Sequence, residues 1–256
     1  MGSQHTYAIE NTKSPQAHFD FRIIDNTKYL RDSYALRYDV YCNERNFLVP
    51  EIYPSKLESD HFDEHAIHIG AIDRAGVLVG TLRLVLPSTR GLPLFKHCEL
   101  FNDEPDYASL PHSSTAEISR LAVSRSYRRR TNDALSDLAN QEDAVPSTQA
   151  EDETMHRRHR SEIILGLYKT MYQVSKRRGI THWFAAMEKT LLRLLHRYSF
   201  AFNPIGPQID YYGPVTPYLT KIAHIETGLR RQCPEMFAKF IQGLELGLVP
   251  PICANN

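Results

Sequence analysis

The chain has 256 residues, 42% of them hydrophobic and 23% charged. This mix supports a buried core and one large domain, and it excludes wholesale disorder. Lys plus Arg (30) balances Asp plus Glu (30), which excludes a general nucleic-acid binder, since phosphate contacts need a basic surplus.

No stretch approaches the roughly 18 apolar residues of a membrane span. Met1 to Asp20 is polar and lacks the apolar core of a secretory signal, so residues 1–18 read as a flexible leader. Cys42, Cys98, Cys233 and Cys253 are irregularly spaced with no CxxC, the pattern of reduced thiols. A soluble, cytoplasmic protein is the expectation.

Phe19 to Ile24 alternates and predicts a first strand. Asp25-Asn26-Thr27 offers caps for a helix over Tyr29–Glu44, with Arg37 and Tyr41 sharing a face at i, i+4. Asn46–His65 reads as a loop carrying Asp60 and Asp63. Ala66–Asp73 and Val77–Leu86 flank the turn Arg74-Ala-Gly76 and predict a hairpin. A proline-rich excursion, Pro87–Ser114, precedes a strand over Ala116–Ser124, with Ile118 and Arg120 alternating against Ser119 and Leu121.

Thr131 to Glu153 then holds seven acidic residues, no aromatic residue and no Lys or Arg. Such a segment buries too little surface to order itself, so 131–160 reads as a disordered insertion. Arginines flank it: Arg125, Arg128, Arg129 and Arg130 before, Arg157, Arg158 and Arg160 after. Beyond it come an amphipathic helix (Ser161–Arg178, ended by Gly179), a buried strand (Ile180–Met187), a helix (Lys189–Tyr198) and a strand (Phe200–Ile205). An extended segment (Asp210–Ile225) and a helical tail (Gly228–Leu248) complete the chain. The fold class is α/β (α+β): one domain over 19–256, with a mixed, mostly antiparallel central sheet flanked by helices.

Four blocks in this order resemble the GNAT (general amine N-acyltransferase) superfamily, and within it the acyl-homoserine lactone synthases. They are Leu36–Glu44 followed by Phe47, Asp60-His-Phe-Asp63, Gly80-Thr-Leu-Arg83-Leu, and Ala116-Glu117-Ile-Ser119-Arg120-Leu-Ala-Val123. Phe47 stands where the lactone synthases usually carry tryptophan. Arg37–Glu44 and Phe95–Leu100 are more similar to PEP-CTERM/exosortase-associated acyltransferases and long-chain N-acyl amino acid synthases.

The resemblance implies an N-acyltransferase moving a medium-to-long acyl chain from an acyl carrier protein to the amine of an amino acid or related molecule. Acyl-CoA is an alternative donor, and no tightly bound cofactor or metal is expected. Contact with a membrane would come only through a lipid product. It also implies a fourth strand that splays from its neighbour to admit the pantetheine arm.

Glu117 becomes the expected base, its pKa raised by burial. Arg83 and Arg120 would hold that carboxylate or a substrate carboxylate. Asp60 and Asp63 would bind an amine or order the first helix through Arg37. Tyr41 and Phe47 complete the expected substrate site, and Ser119 lies beside Glu117 without the partners of a nucleophile. Equally, these charges could form a buried scaffold, since buried charges need partners anywhere.

Arg125-Ser-Tyr-Arg-Arg-Arg130 lacks the glycines with which coenzyme A users cradle pyrophosphate. Its arginines suit a phosphopantetheine phosphate and an acidic carrier surface, or simply balance the acidic segment. His61, His65 and His68 straddle a loop–strand junction and do not read as metal ligands. Cys98 beside His97 reads as an ordinary thiol. The rival readings are a lactone synthase using S-adenosylmethionine, and a degenerate protein that binds an acyl ligand or a partner.

Overall fold

A computed structural model describes residues 18–101, 107, 110–127 and 148–251, for 148–157 the backbone alone. Four strands follow the predicted hairpin logic: β1 (Phe19–Ile23), β2 (Ala66–Asp73), β3 (Leu78–Val85) and β4 (Thr115–Val123), each antiparallel to the next. The Asp73 carboxylate accepts from Ala75 N and Val77 N and so shapes the β2–β3 turn. β5 (His182–Met187) lies parallel to β4. The remaining strands are β6 (Asn203–Pro204), β7 (Ile209–Asp210) and β8 (Pro214–Lys221). β8 runs antiparallel to β5 on one side and pairs with the short β6 and β7. The sheet is mixed with a single parallel step, as expected.

Helix α1 (Thr27–Tyr38) starts on Asn26, whose side chain accepts from Tyr29 N at 2.9 Å. It does not continue to Glu44 as an α-helix. Asp39–Glu44 is a π-helical turn, a local widening of the kind found at functional sites. α2 (Pro93–His97) is a short helix in the excursion. α3 (Thr148–Arg177) begins well before the expected Ser161, inside the segment read as an insertion. Thr148–Arg160 is rich in helix formers. Residues 131–147 and the leader 1–17 lie outside the described residues.

α4 spans Lys189–Arg197 and α6 Pro234–Ile241. α5 (Ile222–Gln232) takes over residues read as extended, because Ile222, Ile225 and Leu229 recur at helical spacing on the buried side.

The main core lies between the sheet and α3. Leu82, Ile163, Leu167, Met171 and Trp183 are fully buried there. Trp183 satisfies its indole N–H by donating to Ser175 Oγ at 2.9 Å. α3 approaches β1 so closely that a Cβ on Gly166 would lie 2.2 Å from the Phe21 ring. The variant Gly166→Val should therefore overpack this contact and cost about 1–3 kcal/mol. Denaturant unfolding checks it, and a wild-type midpoint would contradict the packing described.

Candidate functional site

The site is built on an irregularity in β4. Arg83 pairs with Ser119 and Thr81 with Ala122, so Arg120 and Leu121 together face Leu82. This is a β-bulge, and Arg120 occupies it in the left-handed region (φ 52°). The bulge shifts the side-chain alternation by one. Ile118 and Leu121 both contact the main core, whereas Ser119 and Arg120 both join a polar cluster on the α1 side. The predicted alternation, with Ile118 and Arg120 on one face, fails here because a bulge resets the period of two.

The polar cluster contains three guanidinium groups and three carboxylates. Arg37 donates to both oxygens of Asp63 at 2.8 and 3.1 Å and to Glu58. Arg83 donates to Asp60 (2.7 Å), Asp63 (2.9 Å) and Ser119 Oγ (3.0 Å). Arg120 donates to Glu58 (3.0 Å) and Asp60 (3.1 Å). Asp60 N also donates to Asp63 and Phe62 N to Asp60, which folds the loop onto its own carboxylates.

Glu58 is 0% exposed, and Arg37 and Arg83 are 1% exposed. Burial alone would raise the pKa of Glu58, Asp60 and Asp63, but the arginines outweigh it and hold all three below the usual carboxylate range.

Glu117 stands apart from this network. Burial pushes its carboxyl up to about 7, against the opposing influence of the Leu94 N–H and the arginines. It accepts from Leu94 N at 2.7 Å in α2. Among the described residues it has no hydrogen bond to Arg83 or Arg120, so of the two expected roles for these arginines the structure does not show the pairing with Glu117. Those arginines are committed to Glu58, Asp60 and Asp63.

Pairing of β4 with β5 stops at Ile118–Ala185. Among the described residues β4 has no strand partner on that side from Ser119 onward, and a cleft of about 570 Å³ opens there. Glu117, Ser119 and Arg120 line one part of it. Apolar Val123, Ile164, Met187, Leu191 and Val215 line another, and Arg125 and Arg160 a third.

The π-turn supplies Val40 and Tyr41, and the Tyr41 hydroxyl donates to the Leu121 carbonyl at 3.1 Å, in the unpaired part of β4. Arg45 pairs with both carboxylate oxygens of Glu188 and so links the residues after the π-turn to the start of α4. Tyr212 lies under the Arg120 guanidinium at 4.6 Å, and Tyr211 stacks on His97 at 4.4 Å. Phe47 packs where a Cβ of Gly213 would be, 2.4 Å from its ring; Gly213 itself has φ 98°.

The structure thus gathers Arg37, Tyr41, Phe47, Asp60, Asp63, Arg83, Glu117, Ser119, Arg120 and Arg125 around one cleft and its supporting network. Arg128, Arg129 and Arg130 lie outside the described residues. His61, His65 and His68 do not converge: His61 lies against Phe62, whereas His68 is buried beside Tyr34. Burial pushes the Cys98 thiol up to about 11, far from a reactive thiolate.

Sequence reasoning missed Glu58, the Arg45–Glu188 pair and the Tyr211–Tyr212 wall. Glu58 had a signal. Three arginines drawn to one place need a third acid beside Asp60 and Asp63, and Glu58 is two residues from Asp60.

Residues 36–136 match the acetyltransferase (GNAT) domain family. No curated protein matches the chain. Solved structures with a similar fold include TofI in a ternary complex with an inhibitor and MTA. It is 17% identical, with 91% of this chain and 100% of that chain covered and a TM-score of 0.58. The AHL synthase LasI is 15% identical, with 80% and 90% covered and a TM-score of 0.52. FeeM, an N-acyl amino acid synthase from uncultured soil microbes, is 13% identical, with 83% and 96% covered and a TM-score of 0.52. At these identities the likeness is one of fold. The domain match covers residues 36–136, and the fold is shared with these structures.

The network fixes two expectations. Arg37→Met leaves Glu58 and Asp63 short of a buried partner and should cost about 3–5 kcal/mol of stability; a change under 1 kcal/mol (about the weight of an exposed pair) would contradict a buried network. The pKa values of Glu58, Asp60 and Asp63 are lowered by folding. Their stabilisation is therefore complete above the unfolded carboxylate range of about 4 and is lost as pH falls through the folded values. Equilibrium unfolding should show stability dropping below about pH 4 in wild type. Arg37→Met should show a shallower drop.

Proposed function

We propose that this chain is a cytoplasmic N-acyltransferase. It moves a medium-to-long fatty acyl chain from the phosphopantetheine thioester of an acyl carrier protein to the amine of an amino acid or related small molecule. The observation that carries this reading is a buried carboxylate, Glu117, in β4 two residues before its pairing with β5 gives way to a cleft.

A thioester arm laid along Ser119–Val123 finds free strand edge to pair with, as an added strand would. Its carbonyl would then sit beside Glu117. The amine nitrogen attacks that carbonyl carbon, the C–N bond forms and the C–S bond breaks. The amine proton passes to the Glu117 carboxylate, through water, and the thiolate leaves. A carboxyl poised near 7 suits this task at neutral pH, where a substantial share is ionised and basic enough to take a proton. Backbone N–H groups of the unpaired stretch are the donors available to the oxyanion.

The apolar part of the cleft, from Val123 and Ile164 to Leu191, suits an alkyl chain. Arg125 and Arg160 at its side suit a phosphate. The turn Arg125–Tyr127 has no glycine, which favours a phosphopantetheine phosphate over the pyrophosphate of acyl-CoA. A lipid product is the only part of this reading that touches a membrane, and no helix among the described residues is long and apolar enough to cross one.

Pure protein given acyl carrier proteins loaded with different chain lengths, together with a panel of amines, should release free thiol and form amides. Silence across the panel would sink the reading. A lactone product from S-adenosylmethionine would replace it with lactone synthesis. The variant Glu117→Gln should lower kcat by about 10²–10⁴-fold. In wild type, kcat/KM should rise with pH to a break near the Glu117 value of about 7, because the base works only when ionised. The variant should lose that break, and an unchanged profile would contradict the role.

A further inference from the structure

We propose that His18, His159 and Glu162 form a binding site for a divalent transition-metal ion of the zinc class, on the α3 face of the sheet and away from the cluster around Glu117. The three side chains come from two elements. His18 immediately precedes β1, and His159 and Glu162 are one turn apart on α3 (i, i+3), so they lie on the same helix face. Their ligand atoms all lie within 4.8 Å of one another, and His18 Nδ1 is 3.6 Å from Glu162 Oε2.

Ions of this class bind imidazole nitrogen and carboxylate oxygen at about 2.0–2.2 Å, so ligand atoms around one ion lie a few ångströms apart. Small rotamer adjustments of two half-exposed side chains (52% and 42% exposed) close that gap. Two imidazoles and one carboxylate are a borderline donor set. They suit zinc or nickel over calcium or magnesium, which want oxygen alone. Three protein ligands would leave a fourth position for water.

The His159 ring has a defined setting. It meets the edges of Phe19 at 5.8 Å and Tyr127 at 6.2 Å, with His18 at 4.9 Å. These aromatic contacts limit where the ring can turn and back the site with apolar surface, as the surroundings of metal-binding imidazoles commonly do.

The position gives the ion a consequence. Arg160, next to His159, and Ile164, two residues beyond Glu162, both line the cleft. Tyr127 belongs to the turn that follows β4. A metal held here would tie the start of β1 to the part of α3 that borders the cleft.

The test uses the untagged full-length chain, stripped with a chelator and titrated calorimetrically with Zn²⁺. Wild type should bind one ion per chain. His18→Ala and Glu162→Gln remove a ligand each at exposed positions and should each weaken binding by at least about tenfold, the scale that even outer-sphere partners reach. Zn²⁺ should also raise the melting temperature of wild type and not that of His18→Ala. No binding in wild type overturns the proposal, as does binding that both variants leave unchanged.

Discussion

Arg120 holds a left-handed backbone conformation in the middle of a β-strand, and the rest of the site depends on that one constraint. A non-glycine residue there is strained and persists only where its surroundings over-determine it. They do so here: the guanidinium is held by Glu58 and Asp60 and lies over the Tyr212 ring. The same bulge, a feature that adds local twist, lies just beyond the point where pairing with the parallel neighbour ends. One irregularity thus coincides with two features of the site, a strand edge unpaired among the described residues and a cleft beside it.

The six-charge network is better understood as a positioning device than as a source of stability. Buried ion pairs roughly repay their own desolvation, and apolar replacements often do as well or better. Charge balance within the network has a different effect. It locks α1, the 58–63 loop, β3 and β4 into one arrangement, because any other leaves a buried charge without a partner. Glu117 is excluded from that balance. Among the described residues its hydrogen-bond partner is the Leu94 backbone N–H, and desolvation is the largest influence on its proton affinity. Carboxylates of one site are thus driven in opposite directions by environment alone: Asp60 and Asp63 below the usual carboxylate range, Glu117 up to about 7.

Much of this was legible in the sequence. Alternation gave β1 to β4, the Asn26 cap gave the start of α1, and the four motif blocks brought together residues that the fold does gather around one cleft. What escaped has physical causes. A bulge leaves no local signature when the bulged residue is arginine and not glycine, so the phase of Ser119 and Arg120 was misread. The π-turn over Asp39–Glu44 has the same apolar spacing as an α-helix to within one residue. Glu58 looks like any loop acid until three arginines demand it. The Arg45–Glu188 pair joins residues distant in sequence, and such pairs become visible only in three dimensions. α3 began earlier than expected because helix-forming polar residues signal disorder and solvated helix alike.

In the proposed function the unpaired stretch of β4 receives the thioester arm beside Glu117. A crystal structure of the chain with a non-hydrolysable acyl-pantetheine analogue tests it most directly. The arm should pair with the backbone of Ser119–Val123, with the carbonyl surrogate next to the Glu117 carboxylate and the alkyl chain running toward Ile164 and Leu191. An analogue bound elsewhere, with the β4 edge still unpaired, would contradict it.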